Sequence, residues 1–336
     1  METTRLGRTN MQVSRSGFGC IPIQRLSQDD AVALVRKAYD NGINFFDTAR
    51  GYSDSEVKLG AAFADVRKNL ILATKTHSSD EAAFFTDLET SLRNLRTDYI
   101  DIYQLHNPSF DVDEGHVLYQ SMLKAKAQGK IRAISITSHK LDAALRAVSS
   151  GLFDTMQFPL SCLSSDEDMV LSALCKQHDV GLIAMKAMSG GLITNPNGSF
   201  AFLRSFDNIV PIWGIQHAWE LEQFLALERN PPALDEALWA EIHADRTALS
   251  GNFCRGCGYC QPTCPANIQI GMASRMSLLM RRSVEANYRT PQTQAMMENI
   301  TECTHCEVCL SHCPYGLNPP EMLERELALY RKAIAQ

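Results

Sequence analysis

The sequence lacks the features that mark nucleic-acid-binding, membrane-spanning and exported proteins. Its 336 residues carry 32 Lys and Arg against 38 Asp and Glu, so no basic surplus would attract nucleic acid or anionic lipid. No apolar run reaches the ~18–20 residues of a membrane-spanning helix. The N-terminal segment METTRLGRTN has no apolar core of the kind found in signal peptides. These absences predict a soluble cytoplasmic protein whose partners are neither nucleic acid nor a membrane.

Short apolar runs alternate with amphipathic segments through the first two-thirds of the chain. The runs are apolar on nearly both faces, as the strands of a parallel sheet covered by helices must be. The segments between them carry apolar residues three and four positions apart, which is the helical period. The predicted strands are 16–19, 44–47, 70–74, 99–105, 133–136, 155–158, 182–185 and 209–212. The predicted helices are 30–41, 56–64, 81–95, 117–128, 141–148, 166–178, 199–206 and 219–227.

Eight strands, each followed by a helix, within about 230 residues are the secondary-structure elements expected of a (β/α)8 TIM barrel. The alternative is an open doubly wound sheet, whose nucleotide-binding form carries a Gly-rich first turn. No G-x-G-x-x-G follows the first predicted strand, which favours the barrel. In such barrels the active site lies at the C-terminal ends of the strands. The polar residues that follow each strand are therefore the candidates for function.

Polar side chains follow three consecutive strands of the predicted barrel. Asp47 ends the second strand, and Tyr52 comes shortly after it. Lys75 ends the third strand, and His106 ends the fourth. Taken singly, an Asp after a strand is more often a cap, a Lys is usually solvated, and a His is often a satisfied core group. Their joint placement on successive strand ends favours one shared site.

A phenol, an ammonium, a carboxylate and an imidazole in one site can support carbonyl reduction. A free Tyr has a pKa of about 10 and is a poor acid near neutrality, but a nearby ammonium lowers that pKa. A buried carboxylate holds the ammonium charged and in position. The phenol can then protonate an oxygen that gains negative charge, while the imidazole hydrogen-bonds the same oxygen. Given a hydride donor, this set reduces a carbonyl to an alcohol.

At these residues the chain resembles the aldo/keto reductase family, and the resemblance runs from Leu6-Gly7-Arg8-Thr9 to about Leu227. The family's pattern implies Tyr52 as the proton donor, with Lys75 and Asp47 as the pair that tunes it. It implies His106 as the group that orients the carbonyl, and a nicotinamide coenzyme that is bound without a Rossmann domain. The landmarks are Gly42-Ile43-Asn44-Phe45-Phe46-Asp47-Thr48-Ala49 with Tyr52, then Ala73-Thr74-Lys75, then Tyr99-Ile100-Asp101-Ile102-Tyr103 with His106.

The resemblance places the coenzyme contacts at the ends of the last four strands. Thr137 and Ser138 stand where the family commonly has Ser-Asn, and Gln157 fits its nicotinamide-binding Gln. Met185 stands where the family often has an aromatic ring that stacks on the nicotinamide. No Lys-Ser pair and no Arg for a 2′-phosphate follow the eighth strand, so the sequence leaves NADPH and NADH open. The predicted contacts are Thr137, Ser138, Gln157, Met185, Lys186, Gly214 and Gln216.

Cysteine is concentrated in the tail, where eight of the 11 cysteines lie between Cys254 and Cys313. They form two copies of C-x₂-C-x₂-C-x₃-C-P, the bacterial ferredoxin run for [4Fe–4S] clusters. Structural zinc usually takes two separated ligand pairs, and disulfides fit poorly with a cytosolic chain. In two-cluster ferredoxins the fourth Cys of each run ligates the other cluster. The predicted ligands are Cys254, Cys257, Cys260 and Cys313 for one cluster, and Cys303, Cys306, Cys309 and Cys264 for the other.

The tail also carries helical patterns, which favour a mostly α-helical ferredoxin-like domain. Helices are predicted at 235–249, 272–287 and 320–333. The run Asn230-Pro231-Pro232 ends the barrel. The predicted organisation is a barrel over 1–230, a linker helix over 231–250 and a cluster domain over 251–336. The three remaining cysteines, which have apolar neighbours and are predicted to be plain buried thiols, are Cys20, Cys162 and Cys175.

The sequence therefore predicts an NAD(P)-dependent oxidoreductase that interconverts a carbonyl and an alcohol of a small molecule. Hydride transfer moves two electrons at once, whereas each cluster moves one, and no convincing flavin motif is present to convert between them. The clusters either exchange electrons with an external partner or have a structural role in which they hold the tail to the barrel. Two other functions stay open: a redox-sensing protein that binds nicotinamide, and a redox-neutral lyase or epimerase that uses bound coenzyme transiently.

Overall fold

The computed structural model of the chain describes residues 1–108, 111–249, 253–256, 258, 260–282, 288–313 and 315–335, without the side chains of 281 and 282. Contacts between Cα atoms divide the chain into two units. The first unit is Met1–Ala187 with Asn197–Leu238, and the second is Met188–Pro196 with Trp239–Gln336. The short segment 188–196 is thus enclosed in sequence by the first unit, yet its contacts assign it to the second.

The strands of the first unit form a hairpin and a closed parallel barrel. β1 and β2 pair antiparallel, and β3 to β10 pair in chain order, with β10 closing onto β3. The prediction of a (β/α)8 barrel is confirmed, and each predicted strand overlaps one barrel strand. The strands are Thr3–Arg5 (β1), Gln12–Ser14 (β2), Gly17–Gly19 (β3), Phe45–Asp47 (β4), Ile71–Thr76 (β5), Ile100–His106 (β6), Ile131–Thr137 (β7), Thr155–Pro159 (β8), Gly181–Met185 (β9) and Ile209–Gly214 (β10).

A helix follows each barrel strand and covers its outer face. The first helix begins as its sequence suggests, since Ser27 caps it by accepting a hydrogen bond from the amide of Asp30. Buried residues of that helix, such as Leu34 and Val35, lie on one stripe that faces the sheet. The helices are Gln28–Asp40 (α1), Ser55–Phe63 (α2), Glu81–Leu95 (α3), Val117–Ala127 (α4), Leu141–Ser149 (α5), Asp166–Gln177 (α6), Pro196–Arg204 (α7) and Ala218–Arg229 (α8).

The N-terminal hairpin closes the end of the barrel where the strands begin. Leu6 and Val13 are buried there in a cluster with barrel residues such as Phe45. Gly7 has a φ of +51°, and a Cβ at this position would lie 2.2 Å from the amide nitrogen of Gly181. The sequence does not predict this hairpin, because its two strands are three residues long and largely polar. The end of the barrel at which the strands finish is therefore the one where an active site can form.

The described part of the second unit consists of helices and turns around its own apolar core. The helix predicted over 272–287 is two short helices separated at Ser274 and Arg275, and residues 283–287 lie outside the described residues. The core is formed by buried residues that include Ile268, Met297 and Tyr330. No helix of the described residues is both long and apolar enough to cross a membrane. The helices are Glu236–Ala248 (α9), Ile270–Ala273 (α10), Met276–Arg282 (α11), Pro291–Glu298 (α12), Val308–Ser311 (α13) and Pro319–Ile334 (α14).

Candidate active site and cluster sites

Asp47 and Lys75 form a buried ion pair at the C-terminal ends of the neighbouring strands β4 and β5. Lys75 Nζ lies 2.5 Å from Asp47 Oδ2 and donates a second hydrogen bond to the carbonyl oxygen of Thr48 at 2.7 Å. The two residues are only 2% and 1% exposed. Burial acts to lower the pKa of Lys75, but the charge and hydrogen bond of Asp47, together with smaller effects of its other neighbours, raise it above its ordinary value. Lys75 is therefore an ammonium at neutral pH.

The other oxygen of Asp47 is held by a residue that the sequence analysis does not select. Gln104 Nε2 donates to Asp47 Oδ1 at 2.9 Å, and Ser135 Oγ donates to Gln104 Oε1 at 3.2 Å. Gln104 lies two residues before His106 on β6, so both side chains project to the same side of the strand. That two-residue spacing is the signal from which Gln104 could have been predicted.

Tyr52 lies in the segment between β4 and α2, with its ring between two of the other predicted groups. The distance from Lys75 Nζ to the ring centroid is 5.2 Å, and the His106 ring stands edge-on at 5.9 Å. Burial raises the pKa of the Tyr52 phenol, and the charge of Lys75 offsets that effect only in part. The ammonium of Lys75 thus lowers the pKa of Tyr52, as expected, but burial has the larger effect and the pKa is raised overall. Tyr52 keeps its proton at neutral pH.

His106 ends β6, and its imidazole is neutral at neutral pH. Burial is the main cause that lowers its pKa to about 2, and the positive charge of Lys75 acts in the same direction. Its Nδ1 is buried and has no hydrogen-bond partner among the described residues. A neutral imidazole can donate one hydrogen bond to a carbonyl oxygen while taking no proton from the medium.

His77 is a site residue that the sequence analysis missed. Its ring stacks on that of His106, with the centroids 4.0 Å apart and the planes at 20°. Burial is the main cause that lowers the pKa of His77 below its ordinary value. His77 follows Lys75 by two residues, directly after the end of β5, so the alternation of a strand would have pointed to it.

We expect the first unit to lose stability as the pH falls from about 6 towards 3. Burial lowers the pKa of His139 to about 3 and that of His106 to about 2, whereas an unfolded His titrates near 6.5. Below that value the unfolded chain binds protons that the folded chain does not, so folding weakens by about 1.4 kcal/mol per pH unit for each histidine. Urea midpoints between pH 7 and pH 4 measure the slope.

The variant His139→Gln should flatten this slope, because a residue that cannot be protonated is then buried in its place. His243 on α9 is exposed, so His243→Gln is the matched control and should leave the slope unchanged. Equal slopes in the two variants would contradict the assignment to buried histidine.

Gln157 has a buried amide that fits the predicted nicotinamide contact. The residue is 1% exposed, and its Nε2 lies 3.4 Å from Asp47 Oδ2. Its Oε1 is buried and accepts no hydrogen bond from the described residues. A buried amide oxygen without a donor is unusual. A carboxamide N–H from a ligand would satisfy it, and the nicotinamide group supplies such a donor.

Thr137 and Ser138 end β7, but their hydroxyl groups are engaged locally. Thr137 Oγ1 donates to Asn107 Oδ1 at 3.0 Å and accepts the amide of Asn107 at 2.9 Å. Ser138 Oγ donates to the carbonyl oxygen of Lys140 at 3.0 Å. These two residues lie at the predicted strand end, and a ligand would share or replace these bonds.

The other four predicted coenzyme contacts lie at the ends of β9 and β10. Met185 packs against the apolar core of the barrel, and Lys186 follows it with a φ of +55°. Gly214 is exposed at the end of β10. Gln216 Oε1 accepts a hydrogen bond from Arg25 Nη1 at 3.2 Å. A guanidinium therefore reaches the eighth strand end from the segment after β3, which the sequence analysis does not foresee.

The first cavity of the second unit is lined by cysteines from both runs. Ile270, Ser274 and Tyr315 contribute to its wall. Cys257, the remaining predicted ligand of this set, lies outside the described residues. The cysteines that line this cavity are Cys254, Cys260 and Cys313.

The last cysteine of the first run lines the second cavity. Ile268, Val308 and Leu323 give it apolar walls. The sulfur atoms line the cavities without converging on one point: among the described residues, no three His, Cys, Asp or Glu side chains lie close enough to hold a single metal ion. The cysteines that line the second cavity are Cys264, Cys303, Cys306 and Cys309.

The three cysteines outside the tail are buried thiols, as predicted. Cys20, Cys162 and Cys175 are each at most 1% exposed. Burial raises the pKa of Cys175 to about 12 and that of Cys20 well above its ordinary value, so neither is a reactive thiolate. The amide of Cys20 donates to the carbonyl oxygen of Asp47 at 2.8 Å, which places this thiol beside the ion pair.

Two family models match the chain, one over each part. The model described as the aldo/keto reductase family matches residues 14–206, which is more than half of the chain. The model described as a 4Fe-4S dicluster domain matches residues 253–318. The second match covers all eight cysteines of the two runs.

Curated relatives resemble the barrel part of the chain. L-galactose dehydrogenase of Arabidopsis thaliana is 33% identical over an alignment of 215 residues, and the match covers 58% of this chain and 67% of that protein. The aldo-keto reductase YhdN of Bacillus subtilis is 28% identical over an alignment of 217 residues, and the match covers 58% of this chain and 64% of that protein. The chain thus spans about two thirds of the length of these relatives.

Solved structures share the fold of the barrel at low identity. The aldo-keto reductase from Klebsiella pneumoniae in complex with NADPH superposes with a TM-score of 0.63 at 22% identity, over 72% of this chain and 94% of that one. The holo form of the aldo-keto reductase AKR11C1 from Bacillus halodurans gives a TM-score of 0.64 at 20% identity, over 73% and 96%. At these identities the likeness concerns the fold.

Proposed function

The chain belongs to the aldo/keto reductase family, and we propose that it reduces the carbonyl group of a small molecule to an alcohol with NADPH or NADH. The observation that carries this proposal is a protonated phenol, Tyr52, beside the buried ammonium of Lys75 and the neutral imidazole of His106. The reaction is reversible, so the same site oxidises the alcohol when the oxidised coenzyme is supplied.

The protein's part in the reaction is to place and protonate the carbonyl oxygen. The coenzyme supplies the hydride, which carries two electrons to the carbonyl carbon. His106 donates a hydrogen bond to the carbonyl oxygen and holds it near Tyr52. Tyr52 Oη gives its proton to that oxygen as negative charge develops there, which completes the alcohol. The ammonium of Lys75 stabilises the phenolate that remains until water returns a proton.

The Lys75–Asp47 pair also supports the fold, so removing one partner has two effects. We expect Lys75→Met to lower the free energy of unfolding by about 3–5 kcal/mol, because Asp47 is left as an uncompensated buried charge. The double variant Asp47→Asn, Lys75→Met should regain much of that stability but no turnover. Urea unfolding and steady-state kinetics measure the two effects separately.

Lys58 provides a matched control for the loss of a buried lysine. It is 2% exposed, donates to the carbonyl oxygens of Ile23 and Leu26, and is ion-paired with Asp54 at 2.9 Å. Lys58→Met should destabilise the fold and leave kcat per folded molecule near the original value. Normal turnover in Lys75→Met would contradict the proposed role of Lys75.

Binding of the coenzyme is proposed along the ends of β7 to β10. The buried Oε1 of Gln157 supports a carboxamide contact there. Arg25, held against Gln216, adds a positive charge that can attract a phosphate group near the eighth strand end. The remaining proposed contacts are Thr137, Ser138, Met185, Lys186 and Gly214.

Two [4Fe–4S] clusters are proposed in the two cavities of the second unit. The cavity walls support crosswise ligation, because Cys313 lines the first cavity and Cys264 lines the second. Cys306 is exposed, so the second cluster has a sulfur at the protein surface. An external one-electron carrier could exchange electrons there, which supports electron transfer as the role of the clusters.

The reductase proposal is tested with coenzyme that carries deuterium at its hydride position. The anaerobically purified chain is incubated with a panel of aldehydes, ketones and sugars, and the products are examined by mass spectrometry. Deuterium on the new carbinol carbon, with matching loss of coenzyme absorbance, is the expected result. Product formed without consumption of coenzyme would instead support the lyase or epimerase function. A single turnover without steady state would support the redox sensor.

A further inference from the structure

One arginine of the second unit lies between two turns that are far apart in the sequence. Arg275 follows α10, and its guanidinium packs against the backbone of Gly256 and that of Gly190. Gly256 belongs to the first cysteine run, between Cys254 and Cys257. Gly190 belongs to the segment 188–196, which connects β9 to α7. A single side chain therefore touches the proposed ligand turn of the first cluster and a loop that follows a barrel strand.

Both glycines are shaped by this contact. A Cβ on Gly256 would lie 2.8 Å from Arg275 Cζ, and a Cβ on Gly190 would lie 3.0 Å from Arg275 Nη1. Their φ angles are +62° and +67°, in the left-handed region that favours glycine. Gly191 has a φ of +91° as well, but a Cβ there would meet nothing within 4 Å.

The side chain of Arg275 is held by hydrogen bonds to the preceding helix, α10. Arg275 Nε donates to the carbonyl oxygen of Gly271 at 2.9 Å, and its amide donates to that of Met272 at 3.1 Å. A Cβ on Gly271 would lie 3.7 Å from the Cα of Gly256, so the ligand turn rests on this helix. The base of the guanidinium is thus held to α10, while its terminal nitrogens lie near both glycines.

The turn at Gly256 is directly involved in holding a sulfur. The amide of Gly256 donates to Cys254 Sγ at 3.3 Å. Hydrogen bonds to ligating sulfurs are one of the means by which a protein tunes an iron–sulfur cluster. A shift of this turn would alter both the bond and the position of the ligand.

We propose that Arg275 is a positioning residue that couples the first cluster to the loop 188–196. The cluster, when bound, fixes the turn at Gly256, and through Arg275 it fixes the loop. Coupling of this kind is reciprocal, so the loop also protects the cluster. The proposal rests on the proposed ligation of the first cluster by Cys254.

The test compares two adjacent alanine substitutions, Gly190→Ala and Gly191→Ala, in the intact chain. Both introduce a methyl group at a left-handed φ, so both carry similar backbone strain. Only the first presses on Arg275. Iron release to an anaerobic chelator is followed by absorbance. We expect Gly190→Ala to lose one of its two clusters several-fold faster than the unchanged protein. Gly191→Ala should lose neither faster.

A second pair of variants tests the coupling from the opposite side. Arg275→Gln should increase amide hydrogen exchange in residues 188–196 while the iron remains bound. Arg331→Gln removes an exposed arginine that is ion-paired with Glu298, and it should leave that exchange unchanged. Equal iron release from the two glycine variants, or unaltered exchange in Arg275→Gln, would overturn the coupling. Absence of iron from the unchanged protein would overturn the cluster proposal instead.

Discussion

Replacing Tyr52 by Phe is expected to lower kcat about 10²–10⁴-fold, which is the usual contribution of a positioned general acid. The ring keeps its place over Lys75 and beside His106, and only the hydroxyl group is lost. Coenzyme affinity should therefore hardly change. Steady-state kinetics and a direct binding titration with NADPH and NADH separate the two effects.

The pH dependence of reduction provides a second expectation for the same residue. Because burial raises the pKa of the Tyr52 phenol above its ordinary value of about 10, the proton remains available through neutral and mildly alkaline pH. Neutral His106, whose pKa is lowered to about 2, adds no inflection near 6.5. The plot of kcat against pH should thus be flat from about pH 5 to pH 9.

Tyr39→Phe is the control for the loss of a tyrosine hydroxyl. Tyr39 lies on α1, where its hydroxyl accepts a hydrogen bond from Asn69 at 3.2 Å, away from the strand ends. That variant should retain full turnover. The role of Tyr52 would be refuted if Tyr52→Phe kept a kcat close to that of Tyr39→Phe.

Replacing Cys313 by Ala is expected to remove the cluster of the first run, although Cys313 belongs to the second run in sequence. Iron content should fall from about eight to about four atoms per chain. The surviving cluster should match that of Cys254→Ala in its electron paramagnetic resonance spectrum. Conversely, Cys264→Ala should match Cys303→Ala. The reason is that each fourth cysteine lines the cavity of the other run.

The opposite pairing of spectra is the result that would exclude crosswise ligation. If Cys313→Ala resembled Cys303→Ala, each run would hold its own cluster. Cys175→Ala, which removes a buried thiol from α6 in the barrel, is the control and should retain all of the iron. Iron and sulfide analysis under anaerobic conditions accompanies each spectrum.

The barrel could be predicted because its strands are apolar on both faces and its helices on one. Most of the predicted strands end within one or two residues of the structural bounds. The hairpin of β1 and β2 could not be predicted in this way, since Thr3–Arg5 is polar and partly exposed. Its stability comes from Leu6 and Val13, which enter the barrel core from a distant part of the sequence.

From the sequence, the residues of the candidate site could be predicted only where they lie at the C-terminal end of a predicted strand. Asp47 and Lys75 were selected because parallel strands bring their C-terminal ends together. Gln104 contacts Asp47 and His77 stacks on His106, and these pairings between neighbouring strand ends become visible only in the folded barrel, although the two-residue spacing points to both side chains. The net pKa shift of Tyr52 was equally out of reach, because burial is a property of the folded molecule.

The described cysteines of each predicted ligand set line one cavity, whereas the helices around the cavities were harder to predict. Apolar residues continue at helical spacing through Ile270, Ala273 and Met276, so the break at Arg275 left no trace in the pattern. The assignment of residues 188–196 to the second unit depends on contacts distant in sequence. Periodicity within a short window does not register such contacts.

Residues 188–196 belong to the second unit although the first unit flanks them in sequence, and this affects the order in which the chain can fold during synthesis. Residues 188–196 leave the ribosome before β10, but Arg275 emerges only after the whole barrel sequence through α8. At ~5–20 residues per second, this loop waits several seconds for its partners. A nascent chain can therefore close its eight strands while one of its loops is still unanchored. The first cluster is completed later still, because its proposed ligand Cys313 follows Arg275 in the sequence.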